Sequence, residues 1–205
     1  MTNVWALLFP DQCALCGAPG TPAICPDCRT EIGPPRPGRR AFRLGFADFE
    51  VAYLYPYEGR IAQAVRRLKY DRITALAAPL AELIADHIGP EETTVIPVPI
   101  HWRRRFDRGF NQSELLAERQ SHPVRPHALR RARFTRPQVG MAAAVRRHQL
   151  EGAFTAGDVP RSCLLIDDVV TTGGTLMACA EALFAAGVTE VKALCLTGAE
   201  ASADV

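Results

Sequence analysis

The sequence predicts an α/β protein built on a parallel sheet, with a small cysteine-rich module ahead of it. Three observations predict this. Apolar stretches of strand length alternate with stretches of helical periodicity from residue 49 onward, the pattern of strands joined by crossover helices. Four cysteines crowd into residues 13–28 as two C-x2-C pairs. The run CLLIDDVVTTGGTL, residues 163–176, joins an apolar strand to two adjacent acids and a threonine/glycine loop.

The elements follow in order. Residues 1–33 hold the cysteine module, residues 34–48 read as a linker, and residues 49–205 form the α/β domain. The linker reading rests on GPPRPGRR, whose prolines and glycines suit neither a helix nor a central strand. FEVAYLYPY alternates and is rich in aromatic and β-branched residues, which predicts a strand. GRIAQAVRRLKY places Ile61, Ala64, Val65 and Leu68 at helical spacing, with Arg66, Arg67 and Lys69 near the end where cations suit the helix dipole. ALAAPLAELIADHI predicts a second helix with Pro79 in or near its first turn. TTVIPVPI is a short strand, and SELLAERQ a helix that Asn111 or Ser113 can cap. HALRRARF reads as a strand, and residues 135–152 as a long loop with a helical piece. CLLID is a buried strand, GTLMACAEALFAAG a helix ending at Gly187, and EVKALCLTG the next strand.

Composition bounds the function. No apolar run approaches the ~18 residues of a membrane-spanning helix. The start lacks the basic flank and small-residue cleavage site of a secretory signal, so a cytoplasmic location is expected. The net charge of +2 conceals a basic middle: residues 101–150 hold twelve arginines against Asp107, Glu114 and Glu118. Such a segment suits an anionic partner, a phosphorylated small molecule or nucleic acid, although a chain with 22 arginines and 2 lysines also places arginine on ordinary solvated surface.

Cys13, Cys16, Cys25 and Cys28 have the spacing that lets two tight knuckles present four thiolates to one ion. Two disulfides or four unrelated thiols are the alternatives, and disulfides do not suit a reducing compartment. Zinc is the expected ion, in a closed structural site with four sulfur ligands. Cys163, Cys179 and Cys195 lie in apolar contexts and are expected in the core.

In an open parallel sheet, ligands bind beyond the carboxyl ends of the strands. Asp167 and Asp168 are expected there. Thr171, Thr172, Gly173, Gly174 and Thr175 follow, where glycine backbone, hydroxyls and a helix N-terminus together make a phosphate cradle. Carboxylates repel phosphate but suit ribose hydroxyls or a metal that neutralises a polyphosphate. The stretch therefore reads as a sugar-phosphate site. It is neither a P-loop nor a dinucleotide fingerprint, whose glycine patterns are absent.

CLLIDDVVTTGGT closely resembles the phosphoribosyl-pyrophosphate signature of type I phosphoribosyltransferases. With the four-cysteine module, YEGRIAQAVRRLKY, RGFNQ, TRPQ and GAF in the same order, the chain resembles the ComF family over nearly its whole length. These are competence-associated proteins with an N-terminal four-cysteine zinc module and an amidophosphoribosyltransferase-like domain. The resemblance implies that Asp167 and Asp168 meet the ribose and that Thr171–Thr175 meet the phosphate, with magnesium accompanying phosphoribosyl pyrophosphate. It places Arg104, Arg105, Arg108, Gly109, Asn111 and Gln112 beside a pyrophosphate loop, and Thr135, Gln138, Arg146 and Arg147 in a hood loop. Gln149 departs from the family pattern, which has Asn before the GAF element.

Two functions remain open at this level. One is phosphoribosyl transfer, for which the donor-binding residues are present and no acceptor pocket is recognisable. The other is a binding module without turnover, handling nucleotides or single-stranded DNA with the competence machinery. The aromatics in the basic segment, Trp102, Phe106, Phe110 and Phe134, are few for base stacking.

Overall fold

A computed structural model describes residues 11–45, 47–90, 93–131 and 152–199. Its centre is a five-stranded sheet in the order β1-β2-β7-β6-β3. The strands are β1 (Gly38–Leu44), β2 (Ala47–Pro56), β3 (Val95–Pro97), β6 (Ser162–Val170) and β7 (Glu190–Gly198). β2, β7, β6 and β3 run parallel, and β1 adds antiparallel at the edge. β4 (Leu129–Arg131) and β5 (Phe154–Ala156) form a separate antiparallel pair. The helices are α1 (Pro26–Ile32), α2 (Gly59–Tyr70), α3 (Ala77–Ala85), α4 (Trp102–Arg108), α5 (Gln112–Ala117) and α6 (Gly174–Ala185).

Alternation along the strands divides the core into two layers. Leu164 and Ile166 of β6, with Leu194 and Leu196 of β7, pack with α2, α3 and α5 on one face. Cys163 and Leu165, with Ala193 and Cys195, pack with α6 and the β4–β5 pair on the other. Both faces are covered, which is why these strands read as continuous apolar runs. Cys163, Cys179 and Cys195 are buried as expected.

The cysteine module shares the first layer. Cys13, Leu15, Ile24, Cys25 and Cys28 belong to the same buried cluster as Ile61, Val65 and Leu68 of α2. Arg67 donates to the Ala14 carbonyl, and Arg60 pairs with Glu31 at 2.5 Å.

Several expectations are corrected. Residues 34–48 are not simply a linker, because Gly38–Leu44 is strand β1, paired along its whole length with β2. An edge strand tolerates the proline-rich entry that excludes a central one. The stretch around Trp102, to which the sequence assigns no element and the resemblance a place beside a loop, is a helix. His101 Nδ1 accepts from Arg103 N–H at 3.2 Å at its start, and Gly109, with φ 84°, stops it. Finally, β6 continues through both acids to Val170, paired with β7 as Asp167↔Cys195 and Val169↔Thr197. The acids therefore sit within the ladder. The helix at 75–88 is shorter than its pattern, opening with a 3₁₀ turn at Thr74–Leu76 and placing Pro79 in the first turn of α3.

Candidate sugar-phosphate site

The two acids differ sharply in surroundings. Asp168 is 2% exposed. Its Oδ2 lies 2.6 Å from Lys69 Nζ, near the C-terminus of α2. Asp167 Oδ1 accepts from Ser113 Oγ of α5 at 2.7 Å and from the Asp168 backbone N–H at 2.9 Å. The Asp168 carbonyl in turn accepts from Thr197 Oγ1 at 2.9 Å, tying the acidic turn to β7. Different helices thus hold the two neighbouring carboxylates.

Electrostatics separates them further. Burial and the adjacent Asp168 charge push Asp167 up to about 7, against the opposing pull of Lys69 and Ser113. Burial disfavours the Lys69 ammonium, but the Asp168 carboxylate outweighs burial and the net shift is upward. Asp167 is thereby poised to exchange a proton near neutrality.

Beyond Val170 the chain turns through Thr171 and Thr172, both exposed, to Gly173 and the start of α6. Gly173 has φ 75° and no side-chain cap to offer, so the first turn of α6 has no local side chain accepting its amides. The sequence expects a phosphate cradle at this loop. The Phe42 ring of β1 lies against Gly173, and Arg40 donates to the carbonyls of Thr171 and Ala199. At the end of β7, a Cβ on Gly198 would stand 2.6 Å from Tyr53 Cδ1.

The basic segment is partly committed inward. Asn111 Nδ2 donates to Val98 O at 3.0 Å, and its Oδ1 caps α5 by accepting from Ser113 N–H at 3.1 Å. Gln112 is buried and accepts from Arg108 Nη1 at 3.1 Å. Arg105 pairs with Glu114 at 2.7 Å, and Arg108 stacks over the Tyr70 ring at 5.4 Å. Asn111 thus fixes the start of α5, the helix that carries Ser113. Arg104 remains exposed on α4. Thr135, Gln138, Arg146 and Arg147 lie outside the described residues, as do Phe134 and Gln149.

Four residues were missed by sequence reasoning: Lys69, Ser113 as an acid's partner, Arg40 and Phe42. Lys69 carried a signal. In a chain that otherwise takes arginine almost everywhere, a lysine marks a place where a compact ammonium fits and a guanidinium does not.

The four cysteines converge, with their sulfurs all within 4.8 Å of one another. Four sulfurs bound to one Zn²⁺ lie roughly 3.8 Å apart, from bond lengths near 2.3 Å. Cys16 Sγ and Cys25 Sγ are 3.6 Å apart. Leu15 N–H and Cys25 N–H each point at Cys13 Sγ at 3.4 Å, and Cys28 N–H at Cys25 Sγ at 3.5 Å. Burial opposes ionisation of Cys13, and these amides outweigh it, bringing its thiol to about 6. Burial and the neighbouring cysteines push Cys28 up, as befits a thiol that needs a cation to ionise. The set fits a structural metal site.

A parallel sheet with a Thr/Gly loop after paired acids defines a domain of the phosphoribosyltransferase class, and the phosphoribosyl transferase domain model matches residues 160–204. The chain is 31% identical over 199 residues to DNA utilization protein YhgH of Escherichia coli O157:H7, covering 90% of this chain and 82% of the relative. It is 36% identical over 107 residues to competence protein F of Haemophilus influenzae, 48% of this chain and 47% of that one. Competence protein ComFC of Bacillus subtilis matches at 25% over 188 residues, 85% and 72% of the two chains. The chain belongs to the ComF family. Among the described residues, no helix is long and apolar enough to cross a membrane.

Proposed function

We propose that this chain binds phosphoribosyl pyrophosphate, or a closely related sugar phosphate, and serves DNA utilisation or competence from the cytoplasm, as its relatives' names suggest. One observation carries the reading: Gly173 turns the chain at φ 75° into α6 directly after Thr171 and Thr172, with Asp167 three residues before the end of β6 at Val170. The 5′-phosphate takes the loop amides and hydroxyls, and Asp167 takes the ribose hydroxyls. Magnesium suits this site as an ion carried in by the ligand's pyrophosphate, whose charge it neutralises. Asp168 Oδ2 is engaged by Lys69 and Asp167 Oδ1 by Ser113, so the acids do not form a dedicated cage. In transfer, the bond from C1 to pyrophosphate breaks as positive charge develops on the ribose, and a nearby carboxylate stabilises that charge. Zinc fills the cysteine site and supplies folding energy, with residues 1–33 as a metal-binding module of which residues 11–33 are described.

Titration calorimetry with phosphoribosyl pyrophosphate and Mg²⁺ tests the binding, and pyrophosphate release with candidate acceptors tests turnover. Saturable binding lost in Thr172→Val is the expected result. No heat from the wild type would sink the reading. Metal analysis should find about one zinc per chain, lost in Cys25→Ser.

A second reading has its own support. α4 buries none of its residues, and Trp102 and Phe106, one helical turn apart, are 64% and 85% exposed among arginines. Stacking rings in a basic setting suit single-stranded nucleic acid. Strand handling and sugar-phosphate binding are tested separately.

A further inference from the structure

α2 touches both the cysteine module and the acidic pair. At its middle, Ile61, Val65 and Leu68 share a buried cluster with Cys13, Cys25 and Cys28. Arg67 donates to the carbonyl of Ala14, inside the first C-x2-C knuckle, and Arg60 holds Glu31 at 2.5 Å at the end of α1. Two residues beyond Arg67, Lys69 reaches Asp168 at 2.6 Å, with its side chain 15% exposed and that of Asp168 3% exposed. Five buried apolar residues, Ile61, Ala62, Ala64, Val65 and Leu68, fix the helix against the core over this span. A shift of the knuckle therefore moves the helix end that carries Lys69.

We propose that Lys69 is a positioning residue for the acidic pair, and that the four-cysteine knuckle sets its place through α2, so that metal occupancy of the knuckle raises affinity at the Thr171–Thr175 loop. This rests on the sugar-phosphate reading of that loop. Lys69 acts through Asp168: it neutralises the buried anion and fixes the peptide whose N–H holds Asp167 Oδ1. With Lys69 displaced, two neighbouring carboxylates face each other without a cation, and Asp167 is no longer presented to the ribose in one geometry. Arg67 is the link on the other side. It contacts a backbone carbonyl of the knuckle and no metal ligand's sulfur, so its removal uncouples the module without emptying it.

The experiment uses the full chain. Affinity for phosphoribosyl pyrophosphate with Mg²⁺ is measured by calorimetry in wild type, Lys69→Met, Lys69→Arg and Arg67→Gln. Zinc content and urea unfolding are followed in each. Lys69→Met should bind about five- to a hundredfold more weakly, the usual span of coupling between sites, and Lys69→Arg should recover most of the loss. Arg67→Gln should bind several-fold more weakly while keeping its zinc. Wild type stripped by a chelator should show faster amide exchange at residues 66–70, restored on adding zinc. Equal affinity in Arg67→Gln and wild type, or unchanged exchange at residues 66–70 on zinc removal, overturns the coupling. A wild type that binds no sugar phosphate overturns the loop assignment instead, and the exchange measurement then still decides whether the knuckle controls Lys69.

Discussion

The Phe42 ring rests on Gly173, so closely that a Cβ at position 173 would overlap it. Edge strand and the Thr171–Thr175 loop are therefore one packed unit, with Arg40 tying the Thr171 and Ala199 carbonyls together beside them.

Gly173→Ala should abolish sugar-phosphate binding and lower the melting temperature. Two effects add: overlap with Phe42, and about 1–2 kcal/mol for a side chain in the left-handed region. Gly173→Ala with Phe42→Ala relieves only the first, so binding should stay impaired. Full recovery in the double variant would show that the backbone angle at 173 is unimportant.

Asp168→Asn should destabilise the protein as well as weaken binding, because it leaves the Lys69 ammonium buried without its counterion. Removing one partner of a buried pair costs about 3–5 kcal/mol, and replacing both by apolar groups costs far less. Urea denaturation of Asp168→Asn, and of Lys69→Met with Asp168→Leu, checks this. A single variant as stable as wild type would mean that the ion pair holds nothing in place.

Asp167 should leave a signature in the pH dependence of stability. Its carboxyl is raised from the usual range near 3.8 to about 7 in the folded protein. Across that window the folded state holds the proton more tightly than the unfolded chain, so stability falls as pH rises. The contribution is complete below about pH 4 and gone above about pH 7. Subtracting the profile of Asp167→Asn from that of wild type should isolate this slope, since other acids titrate in both. A flat difference between pH 4 and 7 would contradict the shift.

Trp102→Ala and Phe106→Ala should reduce affinity for a single-stranded oligonucleotide without changing stability, given that both rings are exposed. Each lost stacking contact is worth about 1–3 kcal/mol. Fluorescence anisotropy at two salt concentrations checks it. Unchanged affinity in the double variant would place strand binding elsewhere, or remove it.

The sheet and its site loop were legible because each is local. Continuous apolar runs name buried parallel strands, and CLLIDDVVTTGGT sets acids, hydroxyls and glycines side by side in the chain. The cysteine spacing likewise predicts convergence, which the sulfurs bear out. What stayed hidden is long-range. Asp168 and Lys69 are 99 positions apart, and no local pattern says that one acid turns to a helix on the sheet's first face while its neighbour takes a hydroxyl from α5. β1 was hidden for another reason. The prolines that lead into it and its own arginines argue against a central strand, and an edge strand obeys looser rules. α4 was missed because a helix that buries nothing has no apolar stripe to reveal it.

The two margins of the sheet differ, and both resist extension. β1 carries Arg39 and Arg43, paired with Glu50 and Asp48 of its neighbour, so charge lines the outer strand. β3 is only three residues long, ends at Pro97, and pairs outward just once, as Val95↔Val124. Charged flanks, brevity and proline are the features that keep exposed strands from recruiting a strand of another molecule. The protein can thus be concentrated without its open sheet growing into a fibril.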